Sequence, residues 1–201
     1  MMAASKLLGQ LLPEAQLDSV YADMPVRALC LDSRRVQAGD AFVAIPGTAS
    51  DGRQFTRSAL AQGASLIISE ASDQTYHLEL LDSVPNVAVP ELASSLSGIA
   101  GEFFGRPSES IHLVGITGTN GKTTCSVLLA QLYRLLGETA GVVGTLGYGL
   151  VDQNTCANTL KGTGLTTPDA IQAQATLAEL HTQGASAVMK EVSSHSLDQH
   201  R

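Results

Sequence analysis

The segment that decides the fold is Thr117-Gly118-Thr119-Asn120-Gly121-Lys122-Thr123-Thr124. An apolar run at residues 111–116 precedes it, and a helical pattern at residues 122–136 follows it. Glycines let the backbone wrap closely around a phosphate, and a helix start supplies free N–H groups and the positive end of its dipole. The strand, glycine-rich turn and helix together predict a phosphate-binding loop.

Two side chains of this loop have the chemistry that a nucleotide site needs. Lys122 can reach the β- and γ-phosphates, and the Thr123 hydroxyl can ligate Mg²⁺. The match to the general pattern G-x-x-x-x-G-K-[ST] is imperfect, because Ile116 stands five residues before Gly121. The alternative is a glycine-rich turn with an incidental lysine, but the flanking strand and helix favour the nucleotide site.

Downstream of the loop, the pattern predicts an α/β unit. We expect a strand at residues 140–146, a polar loop at 154–167, a helix at 168–183 with Pro168 in its first turn, and a strand at 185–192. Alternating strands and helices favour a parallel sheet with right-handed crossovers.

Upstream of the loop, shorter elements alternate. We expect strands at residues 26–31, 41–45, 65–69 and 86–89, and helices at 55–62 and 91–104. A break at Gly105-Arg106-Pro107 predicts two domains, 1–106 and 107–201.

Composition excludes several classes of protein. A net charge of -7 argues against a general nucleic-acid binder, which needs a basic surface. No apolar run approaches the roughly 18 residues of a membrane span, and we find no signal-peptide pattern. The widely spaced Cys30, Cys125 and Cys156 are typical of reduced thiols. We expect a cytoplasmic monomer with neither nucleic-acid nor membrane partners.

Several segments resemble one known family. T-G-T-N-G-K-T-T resembles the ATP loop of the Mur ligase superfamily, which also includes folylpolyglutamate synthetase. Residues 31–34, 39–44 and 51–53 resemble the N-terminal domain shared by its E and F types. Residues 165–168 and 191–195 resemble the E type, the UDP-N-acetylmuramoyl-tripeptide synthetases. The resemblance extends over essentially the whole chain but covers less than half of a full-length family member.

The resemblance implies an α/β fold, with an N-terminal nucleotide-sugar-binding domain followed by the first part of a P-loop, mostly parallel-sheet central domain. It implies that ATP phosphorylates the D-glutamyl γ-carboxylate of UDP-N-acetylmuramoyl-L-alanyl-D-glutamate. A diamino acid, with meso-diaminopimelate favoured over lysine, then attacks the acyl phosphate. Mg²⁺ is the implied cofactor and ATP a substrate. Because the family's carbamylated lysine and C-terminal domain would lie beyond Arg201, we expect the chain alone to be inactive.

The resemblance also assigns residues. Lys122 is the implied catalytic residue, and Thr123 and Glu191 are the implied Mg²⁺ ligands. The implied ATP-binding residues are Gly118, Thr119, Asn120, Gly121, Lys122, Thr123 and Thr124. The implied substrate-binding residues are Leu31, Ser33, Thr166, Thr167, Ser193, Gln199 and Arg201.

Simpler interpretations of these residues remain open. Glu191 ends a predicted strand at the ligand-facing edge of an α/β sheet, but it could also be a surface or salt-bridged glutamate. Thr166 and Thr167 could cap a helix. Lys190 is unusual in a buried strand and could extend towards solvent. His195 lies too close in sequence to Ser194 to indicate a hydrolase triad, so we favour a structural role for it.

Two alternative functions remain open for this chain. An F-type ligase or a folylpolyglutamate synthetase fits residues 166–168 and 191–195 less well. A non-catalytic nucleotide-sugar-binding module would describe the 201 residues as they stand, and a reading frame that continues past Arg201 would instead favour a ligase. We also expect exposed apolar surface at the edge of the second sheet.

Overall fold

A computed structural model describes residues 5–47, 50–152, 160–162 and 168–193. The chain divides into two compact units, Met1–Phe103 and Phe104–Arg201. Each unit has its own sheet and helices, which confirms the predicted α/β class.

The first unit opens with a small antiparallel pair. Lys6–Leu7 (β1) pairs with Pro25–Val26 (β2). Two short helices lie between them in the chain, Leu8–Leu11 (α1) and Ser19–Ala22 (α2). The side chains of Leu8 and Leu11 are buried.

The main sheet of this unit has five strands in the order β3-β4-β5-β7-β6. They are Leu29–Cys30 (β3), Ala41–Ala44 (β4), Leu66–Glu70 (β5), His77–Leu81 (β6) and Val84–Val89 (β7). All pairings are parallel except that of β6 with β7. Thr56–Ala61 (α3) packs through Ala59 against Phe42 and Ile67, and Leu92–Phe103 (α4) follows β7.

One prediction for this unit was wrong, and one strand was missed. The strand predicted at residues 26–31 is two short strands, β2 and β3, which belong to different sheets. Strand β6 was missed, because as an edge strand it is largely exposed and lacks a buried apolar alternation. Its hairpin turn uses Asp82 and Ser83 at φ values of 49° and 69°. Positive φ at both turn residues suits the twist of a hairpin, but Asp-Ser is a weak sequence signal for it.

The second unit contains a four-stranded sheet in the order β10-β9-β11-β8. Its elements are Pro107–Ser110 (α5), His112–Ile116 (β8), Lys122–Leu135 (α6), Ala140–Gly144 (β9), Gly147–Leu150 (β10), Ala170–Thr182 (α7) and Ala187–Glu191 (β11). Strand β11 is parallel to both β8 and β9, and β10 runs antiparallel to β9.

Helices cover both faces of this sheet. On one face, Leu177 and Leu180 of α7 pack against Val143 and Val188. On the other face, Ala130 of α6 lies in a cluster that includes Val142 and Met189 of the sheet. Successive strand residues alternate between the faces, which places Glu191 on the same face as Met189 and Lys190 on the opposite face.

Two boundaries in this unit differ from the predictions. The strand predicted at residues 140–146 ends at Gly144 and turns back as β10. The helix predicted from Pro168 starts at Ala170, because the Asp169 carboxylate caps it by accepting the Gln172 N–H at 2.8 Å. Asp169 therefore caps this helix, a role that the sequence also allowed for Thr166 or Thr167.

Apolar surface is exposed beside β8, as expected. Within the described residues, β8 is an edge strand of its sheet, and Leu113 is 38% exposed. Leucines on α6 are more exposed still, at Leu128, Leu132 and Leu135. Across the described ranges, none of the helices has both the length and the apolar character needed to cross a bilayer.

Candidate nucleotide site

Three parallel strands of the second unit end at the same edge of the sheet. Glu191, the last residue of β11, is in register with Ile116, the last residue of β8. The Val192 N–H donates to the Ile116 carbonyl at 2.8 Å, which extends this pairing. The glycine-rich loop leaves β8 at Ile116, so it begins directly beside Glu191. In open α/β sheets, this carboxyl edge is where ligands bind.

The loop has the backbone conformation that its glycines predict. Gly118 has φ 145° and Gly121 has φ 79°, values that a residue with a side chain adopts only with strain. Gly121 is the N-cap of α6, and no side chain caps this helix. The first N–H groups of α6 therefore face the exposed loop, which is the arrangement that binds phosphate.

Lys122 is directed back over the loop. Its Nζ donates to the Gly118 carbonyl at 2.7 Å and lies 3.4 Å from the Thr119 carbonyl. Neutral carbonyls are weaker partners for an ammonium group than charged phosphate oxygens are. A phosphate that entered the loop could replace these contacts, so the position of Lys122 suits its predicted role.

Glu191 is held by the residue that follows the neighbouring strand. Its side chain is buried, and its two oxygens accept hydrogen bonds from Thr145, one from the backbone N–H at 3.3 Å and one from the hydroxyl at 2.9 Å. Gly144 makes room for it, because a Cβ there would overlap the Glu191 carboxylate. Glu191 was predicted from its place at the end of a strand, whereas Thr145 and Gly144 were not predicted. Their only sequence signal was a Gly-Thr pair at the end of a buried run.

The oxygen donors at this edge suit Mg²⁺. Thr123 lies in the first turn of α6, where the Ser126 hydroxyl bonds to its carbonyl at 2.8 Å. No group of three or more His, Cys, Asp or Glu side chains forms a metal cage in the part of the chain that the structure describes. Mg²⁺ commonly needs only one or two carboxylates, because substrate phosphates and water complete its coordination. A hydroxyl from Thr123 and a carboxylate from Glu191 fit that pattern.

Lys190 lies on the sheet face opposite to Glu191, and it is half-buried. Burial lowers the pKa of its ammonium group. The ammonium form of Lys190 is therefore less favoured at this strand end than it would be in water.

The predicted substrate residues of the first unit follow β3. Ser33 is buried and Leu31 is half-buried. Between them, Asp32 accepts hydrogen bonds from the Arg34 guanidinium at 2.9 and 2.8 Å and from the Arg34 N–H at 3.0 Å. The side-chain hydrogen bonds from Arg34 lower the pKa of Asp32 to about 2. An exposed Asp32–Arg34 ion pair therefore spans the turn that carries Leu31 and Ser33.

The predicted residues fall into three groups. Unit 2 brings the loop, Thr123, Glu191 and Ser193 to one edge of its sheet. Unit 1 contains Leu31 and Ser33. The remaining predicted residues, Thr166, Thr167, Gln199 and Arg201, lie outside the described residues, as do Cys156 and His195. Cys30 and Cys125 are free thiols.

Comparison with protein families finds two matches. Residues 25–103 match the model described as "Mur ligase family, catalytic domain", and residues 116–201 match "Mur ligase middle domain". Together the two ranges take in most of the chain.

Two similar curated relatives share one name. A UDP-N-acetylmuramoyl-L-alanyl-D-glutamate–2,6-diaminopimelate ligase from Ectopseudomonas mendocina is 49% identical over 195 residues, which are 96% of this chain and 37% of that protein. The protein of the same name from Pseudomonas aeruginosa is 48% identical over the same shares. The chain thus spans about 37% of the length of these relatives.

Solved structures show the same fold. A structure of a ligase of that name superposes with a TM-score of 0.75 at 29% sequence identity. The match covers 98% of this chain and 37% of the chain in that structure. A MurF ligase from Thermotoga maritima, in complex with ADP, superposes with a TM-score of 0.52 at 24% identity, over 84% of this chain and 32% of its own. At that identity, the second match shows the fold alone.

Proposed function

We propose, from the premise that this chain belongs to the Mur ligase family, that it is the nucleotide-binding portion of an E-type ligase. The whole protein would use ATP to join a diamino acid to UDP-N-acetylmuramoyl-L-alanyl-D-glutamate in peptidoglycan precursor synthesis. The names of the curated relatives support this substrate and favour meso-diaminopimelate as the incoming amino acid.

The observation that carries the proposal is the pairing of Ile116 with Glu191. It places a carboxylate beside the first residue of a glycine-rich loop that contains Lys122. Phosphoryl transfer needs positive charge and oriented N–H groups around the transferring group more than it needs covalent chemistry from the protein. This edge of the sheet supplies the cation, the N–H groups of α6 and oxygen ligands for a metal.

The chemistry follows from these groups. Lys122 would leave the carbonyl of Gly118 and bind the β- and γ-phosphates of ATP. Thr123 and Glu191 would hold Mg²⁺, which neutralises phosphate charge when it is bound. The D-glutamyl γ-carboxylate attacks the γ-phosphorus, ADP leaves, and an acyl phosphate forms. The neutral amine of the diamino acid then attacks the acyl carbon, phosphate leaves, the nitrogen releases one proton, and an amide bond results.

The remaining predicted residues would bind the other substrate. Leu31 and Ser33, in the domain that we place at residues 1–106, would contact the uridine end of the nucleotide. The residues proposed to contact the rest of the molecule belong to the domain at 107–201, namely Thr166, Thr167, Ser193, Gln199 and Arg201. An arginine suits this task because its guanidinium binds a carboxylate or phosphate through two hydrogen bonds.

Binding and turnover are proposed for different lengths of chain. Because the 201 residues span about 37% of the curated relatives, we assign turnover to the whole protein and ligand binding to this portion. A non-catalytic binding module describes these residues by themselves.

The test is product formation by the whole protein. We would incubate it with ATP, Mg²⁺ and UDP-N-acetylmuramoyl-L-alanyl-D-glutamate, and supply either meso-diaminopimelate or L-lysine. Mass spectrometry should show the tripeptide product, with ADP formed in equal amount, and the Lys122→Ala variant should form neither. ATP hydrolysis that does not depend on the dipeptide substrate would contradict the proposal.

A further inference from the structure

A cleft lies on one face of the first unit's sheet, beside α3. Residues of β5, β7 and β6 form its floor, and Arg53 and Thr56, at the start of α3, form one wall. Its volume is about 430 Å³. Neighbouring strands lie about 4.8 Å apart, so a floor that starts two strands from β3 is roughly 10 Å from that strand. The cleft therefore lies on different strands from Leu31 and Ser33, the residues proposed to contact uridine.

The floor of the cleft is polar, although the sheet beside it is apolar. Under α3, the sheet presents Phe42 and Ile67, which belong to the buried core. Ser69 lies two residues after Ile67 on the same face of β5, and Asn86 of β7 is in register with Ile67. Ser69 and Asn86 are only 8% and 5% exposed. Because buried polar side chains need hydrogen-bond partners, their contacts define the chemistry of the floor.

A chain of hydrogen bonds crosses three strands along this floor. The Ser69 hydroxyl donates to Asn86 Oδ1 at 2.8 Å, and Asn86 Nδ2 donates to Glu79 Oε1 at 2.9 Å. A carboxylate can only accept, so the Asn86 amide must turn its nitrogen towards Glu79 and its oxygen towards Ser69. Ser69 therefore uses its one hydroxyl hydrogen on Asn86.

Three groups that line the cleft are left as hydrogen-bond acceptors. The Ser69 oxygen keeps lone pairs, and so does the Thr56 hydroxyl, which donates its hydrogen to the Arg53 carbonyl at 2.9 Å. Across the described residues, the second carboxylate oxygen of Glu79 accepts no hydrogen bond. A ligand that meets these three groups must therefore supply donors.

The charges around the cleft add a preference for a cation. Arg53 is already paired with Asp51 at 2.7 Å. Both oxygens of Glu70 accept N–H groups from the start of α4, at 3.0 Å each. Within the described part of the chain, Glu79 has only the neutral amide of Asn86. The carboxylate charge is thus least compensated at Glu79, and a positive group is favoured beside it.

An ammonium group meets both requirements, because it carries a positive charge and three hydrogen-bond donors. A divalent cation would need six or more oxygen ligands. A second cleft, of about 550 Å³, adjoins the first and shares Arg53 and Thr56 with it. Three leucines line this second cleft, Leu60, Leu80 and Leu81. They offer an apolar surface to the methylene groups of a ligand.

We propose that the two clefts bind a small aliphatic amine, with its ammonium group at Glu79 and Ser69 and its alkyl chain along the leucines. A free diamino acid and a polyamine share this chemistry. The inference does not depend on the proposed function, because it uses residues of the first unit to which no substrate contact is assigned.

Calorimetric titration of the 201-residue chain with three probes of similar length tests the proposal. The probes are 1,5-diaminopentane, L-lysine and glutarate. The two amines should bind with dissociation constants in the millimolar range, as expected for ligands of roughly ten or fewer non-hydrogen atoms. Glutarate carries only carboxylates and should not bind.

The pattern of binding also identifies the kind of amine. Binding of L-lysine alone would indicate an amino acid, and binding of 1,5-diaminopentane alone would indicate a simple amine. Binding of glutarate as tightly as the amines, or of none of the three probes, would overturn the proposal.

A charge-removing variant tests the role of Glu79. Glu79→Gln keeps an oxygen that accepts the Asn86 hydrogen bond but loses the negative charge, so amine affinity should fall roughly 10-fold. Glu79 is exposed on an edge strand, so this variant should keep the parent's unfolding midpoint. Glu109→Gln is the matched control, because it removes an exposed carboxylate of the second unit. Equal losses of affinity in the two variants would show attraction to the overall negative charge and overturn the proposal.

NMR of the parent chain locates the site without any substitution. Addition of the amine that binds should shift the backbone amide signals of Ser69, Glu79 and Asn86 more than those of the second unit. Shifts spread evenly over the acidic residues of both units, or confined to the second unit, would contradict binding in this cleft.

Discussion

The hydroxyl of Thr145 donates a hydrogen bond of 2.9 Å to the carboxylate of Glu191, across the ends of two neighbouring parallel strands. The Thr145 N–H supports the other carboxylate oxygen at 3.3 Å. A buried carboxylate is thereby oriented by a residue 46 positions away in the chain. The orientation of the proposed metal ligand depends on strand order, which no local sequence pattern specifies.

Removal of the Thr145 hydroxyl should disturb Glu191 without a large change of shape. In Thr145→Val, one hydrogen bond to a buried carboxylate is lost, so the free energy of unfolding should fall by roughly 1–3 kcal/mol. The affinity for Mg·ATP should fall as well. Urea unfolding and calorimetry measure the two effects. Thr182→Val, which removes a helix-surface hydroxyl bonded to the Ala178 carbonyl, is the control and should leave Mg·ATP affinity unchanged.

Addition of a methyl group at Gly144 should displace the same carboxylate. Because a Cβ at this position overlaps Glu191, Gly144→Ala should cost about 1–3 kcal/mol of stability through overpacking and should weaken Mg·ATP binding. Gly98→Ala provides the contrast. Gly98 lies within α4, where a Cβ meets no atom within 4 Å. Alanine there should stabilise the chain by about 0.5–1 kcal/mol, because glycine is a poor helix former. Stabilisation by both substitutions would contradict the close packing at Glu191.

The Asp32 carboxyl should titrate far below its usual range. Its pKa is lowered from 3.8 to about 2, mainly by side-chain hydrogen bonds from Arg34. A lowered pKa in the folded state contributes stability that is present above the ordinary pKa and is lost as pH falls through about 2. The contribution should be small, because the Arg34 side chain is 85% exposed and the pair is screened by solvent.

An NMR titration of the Asp32 side-chain carboxyl measures this pKa directly. In Arg34→Ala, the pKa should return towards its usual value, and the turn that carries Leu31 and Ser33 should lose its ion pair. A titration near the usual value in the parent chain would show that the Asp32–Arg34 contact does not persist in solution.

Local patterns predicted the parts of the site that depend on neighbours in sequence. The glycine-rich loop and the helix that starts at Lys122 lie where the sequence predicted them, and the strand predicted at residues 185–192 is found at Ala187–Glu191. Each follows from residue types within a few positions of one another. Gly137, at φ 90°, follows α6 where the helical pattern was expected to stop.

Features that depend on long-range pairing were missed. Strand β10 has the sequence Gly-Tyr-Gly-Leu, and from local sequence alone its two glycines predict a loop. It is a strand because it pairs with β9 in a hairpin. Thr145 contacts Glu191 only because β11 lies next to β9. The Lys161–Glu179 ion pair joins residues that are 18 positions apart in the chain. The contact partners of Thr145, Lys161 and Glu179 cannot be predicted from the sequence without the strand order of the sheet.

The most direct test of the nucleotide site is a calorimetric titration of the 201-residue chain, first with UDP-N-acetylmuramoyl-L-alanyl-D-glutamate and then with Mg·ATP, beside the Lys122→Ala variant. The parent chain should bind both ligands. The variant should keep its affinity for the nucleotide-peptide and lose its affinity for Mg·ATP, because its loop lacks the ammonium group that neutralises the phosphates. Equal binding of Mg·ATP by the two proteins, or binding of neither ligand by the folded parent chain, would contradict the assignment of this sheet edge as the ATP site of a ligase.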